Sequence, residues 1–405
     1  MSKDKTFTGQ PIIRQILSLI PRNMVAHIAS EHQSDRYYKK FKTYNHVVTM
    51  LYAAMSCSEK IRAVVLGLLA SKERLYHLGI KYFPKRSTIS DANRDRSSGV
   101  FASLYSSLHK KYAHLLPDSR NRWDVLERLK IIDSTTITLF KEILKAAGRT
   151  PANGKRKGGI KAHTVIESNS DLPQFICFSA SARHDRPFLK EMDFEKGDIL
   201  VFDKAYNDYE MFHNWTKAGI FFCTRQKEDA LYEVVKEFPF AEACDQRIKS
   251  DQLIKVTVSE TGKTVLLRRI EFKDEENDSE LVFLTNILFL NPDKIAQIYK
   301  RRWQIELMFK RLKQNFPLKY FLGDNVNAIE IQIWCCLICH LLYRVILSKI
   351  KRKWAFSNLC DVIRQHLFTY TDLASFLSDP EKILREQIRA ELKKKESMQL
   401  ALFPP

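Results

Sequence analysis

The stretch Asn291–Lys313, NPDKIAQIYKRRWQIELMFKRLK, constrains this chain more than any other. Asn291 can cap a helix, Pro292 suits a first helical position, and Asp293 complements the positive end of the helix dipole. The pattern predicts one helix running until just before Pro317. At 100° per residue, Tyr299, Arg302, Glu306 and Lys313 fall within about 60° of one another on one face. From Lys294 to Lys313 there are seven Lys or Arg residues and a single acid, Glu306. A lone carboxylate in a basic field is either neutralised by its neighbours or held for a hard cation such as Mg²⁺. This helix taken alone leaves both readings open.

The surrounding chain has the same bias. It has 66 Lys or Arg against 47 Asp or Glu, a formal net charge of +19 over 405 residues. That excess is too large for a typical cytosolic enzyme of small molecules. It points to a polyanionic partner, nucleic acid before an anionic membrane. The eight cysteines have no disulfide-framework spacing, which fits a reducing compartment. Cys336-Leu-Ile-Cys339-His340 has the letters of a c-type haem attachment, but it sits in an apolar helical run. That run, Ile331–Leu347, is short for a membrane span and carries Gln332, His340 and Arg344, so it reads as a buried helix. The N-terminal MSKDKTFTGQ has no apolar secretion core. The expectation is a cytoplasmic, nucleoid-associated protein without membrane contact.

Residues 1–118 read as a helical DNA-binding domain, opened by an amphipathic face of Ile12, Ile13, Ile16, Leu17 and Ile20. Within it, PKRSTISDANRDR (Pro84–Arg96) follows the turn Leu78-Gly79. Ser87 is a candidate N-cap, with Lys85 and Arg86 at the entry and Arg94 and Arg96 further on. Helix, turn and polar basic helix is how a major-groove reader is built, which makes Arg86, Arg94 and Arg96 DNA-binding candidates. A helical bundle with a basic surface is the plainer alternative.

After a break at Leu116-Pro117-Asp118-Ser119 the pattern turns to β. Strands are predicted over Leu129–Phe140, His163–Glu167, Gln174–Ser179, Asp198–Phe202 and Ile220–Thr224, with a helix over Tyr209–Lys217. That order predicts an α/β fold with a mixed sheet, residues 119–225 forming the first part of its core. Residues 226–285 read as a β-rich insertion, with a hairpin around Glu260-Thr261-Gly262-Lys263. Residues 286–330 return to the core with the helix described first, and 331–405 form a helical C-terminal region.

Two further carboxylates stand at the ends of apolar β runs: Asp133 after Ile131-Ile132, and Asp203 after Leu200-Val201-Phe202. A carboxylate at the end of a buried strand costs energy unless it is paired or metal-bound. If strands one and four are adjacent, the two aspartates lie side by side, and the later helix can bring Glu306 to the same edge. Three such groups could hold two Mg²⁺ ions about 3.5–4 Å apart, an arrangement suited to phosphoryl transfer.

The spacing Tyr299-x₂-Arg302-x₃-Glu306-x₆-Lys313 resembles the YREK signature of IS4-type DDE transposases. Leu284-Thr285-Asn286, IIDST around Asp133, VFDKAY around Asp203 and the RSTISDANRDR segment also resemble that family. The resemblance implies an RNase H-like core interrupted by a β-insertion. Asp133, Asp203 and Glu306 would be the catalytic, metal-binding triad for two Mg²⁺ ions, with Mn²⁺ as a substitute. Tyr299, Arg302 and Lys313 would contact DNA phosphates, in positions where charge-assisted bonds orient the duplex. The implied partners are double-stranded DNA (terminal inverted repeats and target) and a second copy of the chain in a homodimeric synaptic complex. The implied reaction is nicking at the element ends, a hairpin and strand transfer. Relatives often carry Gly where Ala205 stands here. An RNase H-like nuclease without strand transfer and a non-catalytic DNA-binding derivative are the alternatives.

Other signals count for less. Gly148–Arg156 has five residues between its glycines and no Ser or Thr after Lys155, so it reads not as a P-loop but as a basic loop, DNA-facing or simply solvated. His163 reads as a core histidine and His184-Asp185 as a possible neighbour of the site. Trp215 and Trp303 read as core. Tyr232, Phe238 and Phe240 are candidates for stacking on a flipped base.

Overall fold

The computed structural model describes residues 9–116, 128–139, 158–168, 172–180, 186–190, 192–239, 245–258, 261–275, 278–382, 385–386 and 388–392. The Gly148–Arg156 loop, His184, Asp185 and Phe240 lie outside them. The chain divides into two compact units, one of residues 1–116 and 312–405, the other of residues 117–311.

The first unit is helical, with α1 (Ile12–Leu17), α2 (Arg22–Glu31), α3 (Thr43–Met55), α4 (Ile61–Ala70), α5 (Arg86–Asp95) and α6 (Gly99–Tyr112) from the N-terminal part. Its N-terminal and C-terminal segments belong together, although the sequence reading kept them apart. The reason is the apolar run seen in the sequence. Val326–Ser348 forms a 23-residue helix long and apolar enough to cross a membrane, but 78% of its most apolar window is buried inside the protein. It packs against α3, α5 and α6, so the N-terminal helices provide the partner its apolar surface requires.

Within this unit α5 starts after Lys85, so Ser87 lies inside the helix, not at its cap. Its inner face is Ile89, Ala92 and Asn93. The Asn93 carboxamide oxygen lies 2.7 Å from Nε2 of the fully buried His46 on α3. Arg86 and Arg94 are exposed. Arg96 is not. It is 2% exposed, donates to the carbonyls of Ser34 (3.3 Å) and Phe41 (3.1 Å), pairs with Asp35, and lies over the Tyr38 ring. Its place as a DNA contact is therefore corrected. The α5 backbone turns extended at Arg96, which sends the guanidinium inward where carbonyls and a carboxylate satisfy it.

The second unit is built on a single nine-stranded sheet, ordered β3-β2-β1-β4-β5-β9-β8-β7-β6. The first strands are β1 (Leu129–Leu139), β2 (Gly158–Glu167), β3 (Pro173–Ala180), β4 (Ile199–Val201) and β5 (Phe221–Arg225). β1 to β3 form an antiparallel meander, while β4 runs parallel to β1 and β5 parallel to β4. This is the mixed-sheet α/β core expected from the strand order. Side chains alternate between faces along each strand. Ile132, Leu200, Phe202, Phe222 and Leu284 enter one apolar layer with Phe212 and Trp215 of α8 (Tyr209–Ala218), the helix after the short α7 (Arg186–Lys190). Leu129, Ile199, Val201, Cys223 and Phe283 enter the other, covered by Ile295, Ile298 and Tyr299 of α9 (Pro292–Lys300). Lys130 Nζ bonds Asp198 Oδ2 at 2.6 Å, tying the starts of β1 and β4 together.

The insertion is β-rich, with β6 (Glu233–Glu237), β7 (Ile248–Thr257), β8 (Thr264–Asp274) and β9 (Ser279–Thr285). It extends the core sheet, because β9 pairs antiparallel with β5, Cys223 opposite Thr285. The Leu284-Thr285-Asn286 segment closes that seam. Thr285 Oγ1 donates to the Phe222 carbonyl at 2.5 Å, and Asn286 Oδ1 accepts the Phe222 N–H at 2.9 Å.

The helix of the opening reading is interrupted. α9 ends at Lys300 and α10 (Trp303–Asn315) begins three residues later. Between them the N–H groups of Arg301 and Arg302 bond three residues back, to Ile298 and Tyr299, a tightened turn. This break moves Tyr299 off the helix that carries Glu306.

Candidate active site

The site rests on strand register. Ile131 of β1 is opposite Val201 of β4, and Val201 is opposite Cys223 of β5. Asp133, Asp203 and Arg225 each stand two residues further on, with side chains of the same parity as Ile131, Val201 and Cys223. Asp203 lies just past the carboxyl end of β4 and Arg225 closes β5, while Asp133 lies within β1, two residues beyond the last of its pairs with β4. Carboxyl ends of parallel strands are where open α/β sheets place their ligands.

Glu306 reaches Asp133 through an intermediary. Arg302 Nη1 donates to Asp133 Oδ2 at 3.2 Å and Nη2 to Glu306 Oε1 at 2.6 Å. The Arg302 side chain is only 14% exposed, so this bridge is largely shielded from water. Sequence reasoning put Arg302 on the face of Glu306 as a contact for DNA phosphate; in this structure it bonds the two carboxylates themselves. Asp203 is held separately. Its Oδ2 accepts from Arg225 Nη2 at 2.9 Å and its Oδ1 from the Ala205 N–H at 3.2 Å. Ala205 is exposed, so its methyl group meets no packing constraint.

Burial dominates the titration of Asp133 and pushes it from 3.8 up to about 6. The Ser134 N–H and Arg302 oppose that rise, while the nearby charges of Glu306 and Asp203 add to it. Arg302 is pulled down by burial, but Tyr299, Glu306 and Asp133 outweigh this and hold it above its ordinary value.

Other candidates lie elsewhere. Tyr299 is 8% exposed, with its ring against Phe283 and its hydroxyl buried without a hydrogen-bond partner among the described residues. Burial pushes that phenol up to about 12. Its assignment as a phosphate contact is corrected, since the ring serves the core layer under α9. Lys313 is exposed on α10, seven residues beyond Glu306. Trp215 is buried as expected, but Trp303 is 56% exposed. His163 is a core residue, 2.8 Å from Ser179 Oγ and stacked on Phe188. Tyr232 lies under Arg269 and Phe238 under Arg268.

Arg225 was not foreseen. Its signal was present, for Phe221-Phe222-Cys223-Thr224-Arg225 repeats the pattern of an apolar strand ending in a charge. Asn207 fixes it, donating to the Arg225 carbonyl at 2.8 Å and accepting from Thr224 Oγ1 at 2.9 Å.

Three oxygen-donor carboxylates suit a hard divalent cation in donor chemistry. As they stand, no three His, Cys, Asp or Glu side chains among the described residues are grouped to hold one. The groups fit the ion in kind, and arginines hold them in its place.

Residues 126–342 match the model of the transposase DDE domain. The chain belongs to this family. Residues 8–81 match a second model, a domain of unknown function (DUF4372). The chain is 29% identical over 300 residues to y4zB of Sinorhizobium fredii, assigned as a transposase, covering 73% of this chain and 81% of that one. It is 26% identical over 270 residues to the protein of Synechocystis sp. assigned as the transposase of insertion sequence element IS4SA, covering 64% and 71%. The piggyBac transposase synaptic complex with hairpin DNA aligns over 95% of this chain and 83% of that one, at 11% identity. Its TM-score of 0.40 is too low to carry an argument. As a DDE transposase of insertion-sequence type, the protein is an enzyme of DNA phosphodiester cleavage and strand transfer.

Proposed function

We propose that this transposase moves its insertion sequence by cut-and-paste, with Asp133, Asp203 and Glu306 as the reacting centre. The observation that supports this reading is the parallel register of β1 and β4, with Asp133 and Asp203 each two residues beyond its last pair and Glu306 joined to Asp133 through one guanidinium. The three carboxylates would hold two Mg²⁺ ions, for which Mn²⁺ can substitute. When bound, such ions lower the pKa of an attacking water or hydroxyl and stabilise the leaving oxygen. Asp133, on β1, and Asp203, in the turn just past β4, would set the direction of attack at the scissile phosphate, and Glu306 would complete the set. Water would first release a 3′-OH at each terminal inverted repeat. That hydroxyl would then attack the opposite strand to close a hairpin, and after the hairpin is reopened it would join target DNA.

Arg302 and Lys313, with Arg86 and Arg94 on α5, would bind phosphates of terminal-repeat and target DNA, in keeping with the net charge of +19. A homodimer would pair the two ends in a synaptic complex, in the nucleoid of the cytoplasm. The test is terminal-repeat DNA incubated with Mg²⁺ and the protein or its Glu306→Gln form. Nicked, hairpin and joined products are expected, and Glu306→Gln should cut their rate more than about 100-fold, since changing even outer partners of metal ligands costs about 10–100-fold. Unchanged processing by Glu306→Gln would refute the triad. Nicked ends that never join target DNA would favour a nuclease without strand transfer.

A further inference from the structure

We propose that Arg302 is a built-in counter-ion that keeps divalent cations out of the carboxylate cluster until a DNA phosphate draws it away. The inference rests on the reading of Asp133, Asp203 and Glu306 as the metal-binding set. It is argued from what the guanidinium does in this structure. Its two Nη atoms are spent on two different carboxylates, at 3.2 Å to Asp133 and 2.6 Å to Glu306. A cation shared by those groups must approach their oxygens to about 2.0–2.1 Å, which a guanidinium wedged between them prevents. Charge adds to the steric conflict, since a second positive centre on the same oxygens is repelled in a site this shielded. Arg302 is thus a positioning residue, and its place and the ion's are mutually exclusive.

Two features make the exchange feasible. Arg302 lies in the tightened turn between α9 and α10, outside both helices, so swinging its side chain breaks no helix. Its Nε is buried without a partner among the described residues, so one donor is unsatisfied in the inward position. A phosphate offers two oxygens that the planar guanidinium fork can bond together, and it can compensate for both carboxylate bonds at once. DNA binding would then free Asp133 and Glu306 for the ion, and by linkage the ion would tighten DNA binding by the same factor. The consequence is a nuclease centre that stays unloaded while the protein is off DNA.

The experiment measures Mn²⁺ affinity by calorimetry on the full chain, without DNA and with a short duplex lacking element ends. For the wild type, the duplex should tighten Mn²⁺ binding about tenfold, within the ordinary range of such coupling. Without DNA, Arg302→Gln should bind Mn²⁺ about tenfold more tightly than the wild type and gain nothing further from the duplex. Equal or weaker Mn²⁺ binding by Arg302→Gln, while Glu306→Gln and Asp133→Asn abolish it, overturns the gating role and leaves the metal-site reading standing. If Glu306→Gln and Asp133→Asn bind Mn²⁺ as the wild type does, the metal-site reading fails and takes this proposal with it. Should Arg302→Gln not fold, the wild-type arm decides: a duplex that binds but leaves Mn²⁺ affinity unchanged overturns the proposal.

Discussion

Lowering the pH should loosen α5, the helix that presents Arg86 and Arg94, through a histidine that touches neither arginine. His46 on α3 is fully buried, with Nε2 2.7 Å from Asn93 Oδ1 and its ring edge-on to Phe101. Burial first, and then the charge of Arg96, push its pKa from 6.5 down to about 3 against the help of Asn93. An unfolded chain takes up that proton near pH 6.5, while the folded one refuses it until about pH 3. The folded-state value is the depressed one, so the contribution is intact above pH 6.5 and drains away as the pH falls toward 3. The slope is about 1.4 kcal/mol per pH unit well inside that window, which makes the loss between pH 7 and 5 about 2 kcal/mol. Hydrogen exchange of the α3 and α5 amides, corrected for intrinsic rates, reads this locally. Protection there should fall about 25-fold from pH 7 to 5 in the wild type, about 2 kcal/mol at 1.4 kcal/mol per tenfold. In His46→Gln, which keeps a side-chain donor without the titration, the slope should vanish. Flat protection in the wild type, or an equal slope in the variant, would refute the argument.

Two further outcomes follow from the site and the basic surface. Arg225→Ala should slow terminal-repeat cleavage about 10–100-fold with Arg225→Lys restoring part of it, because Asp203 loses the group that orients it; full activity in Arg225→Ala would show that Asp203 needs no such partner. The two arginines of the α5 segment should separate cleanly. Arg86→Ala should lower the salt slope of DNA binding by about one, whereas Arg96→Met should destabilise the helical unit by about 3 kcal/mol by leaving the Ser34 and Phe41 carbonyls without this donor and Asp35 without its charge partner. A reversed pattern, in folding assays and DNA titrations across salt, would move the DNA-facing surface to Arg96.

Much of the site was legible because strands announce themselves locally. An apolar run followed by a charge drew attention to Asp203, which lies just past the end of β4, and to Asp133, which lies within β1 because that strand continues to Leu139. The same rule would have picked out Arg225 had basic ends been weighed like acidic ones. The buried character of Val326–Ser348 was also readable, since Gln332, His340 and Arg344 suit a protein interior better than a bilayer. Helical periodicity, in contrast, says which side chains share a face but not whether the helix continues. It joined Tyr299 to Glu306 across a turn that three-residue hydrogen bonds break.

What the sequence by itself determined is the α/β order of elements, the basic charge and the three carboxylates, all of them properties of short runs or of composition. Only the tertiary structure decided where the long cationic side chains go. Arg96 and Arg302 look alike in the chain, basic residues in basic helical segments. One is buried by Asp35, Tyr38 and two carbonyls that lie more than fifty residues away, and the other is turned inward by Asp133 on a distant strand. A guanidinium follows its nearest unpaired acceptors, and those are set by long-range packing that no local pattern encodes.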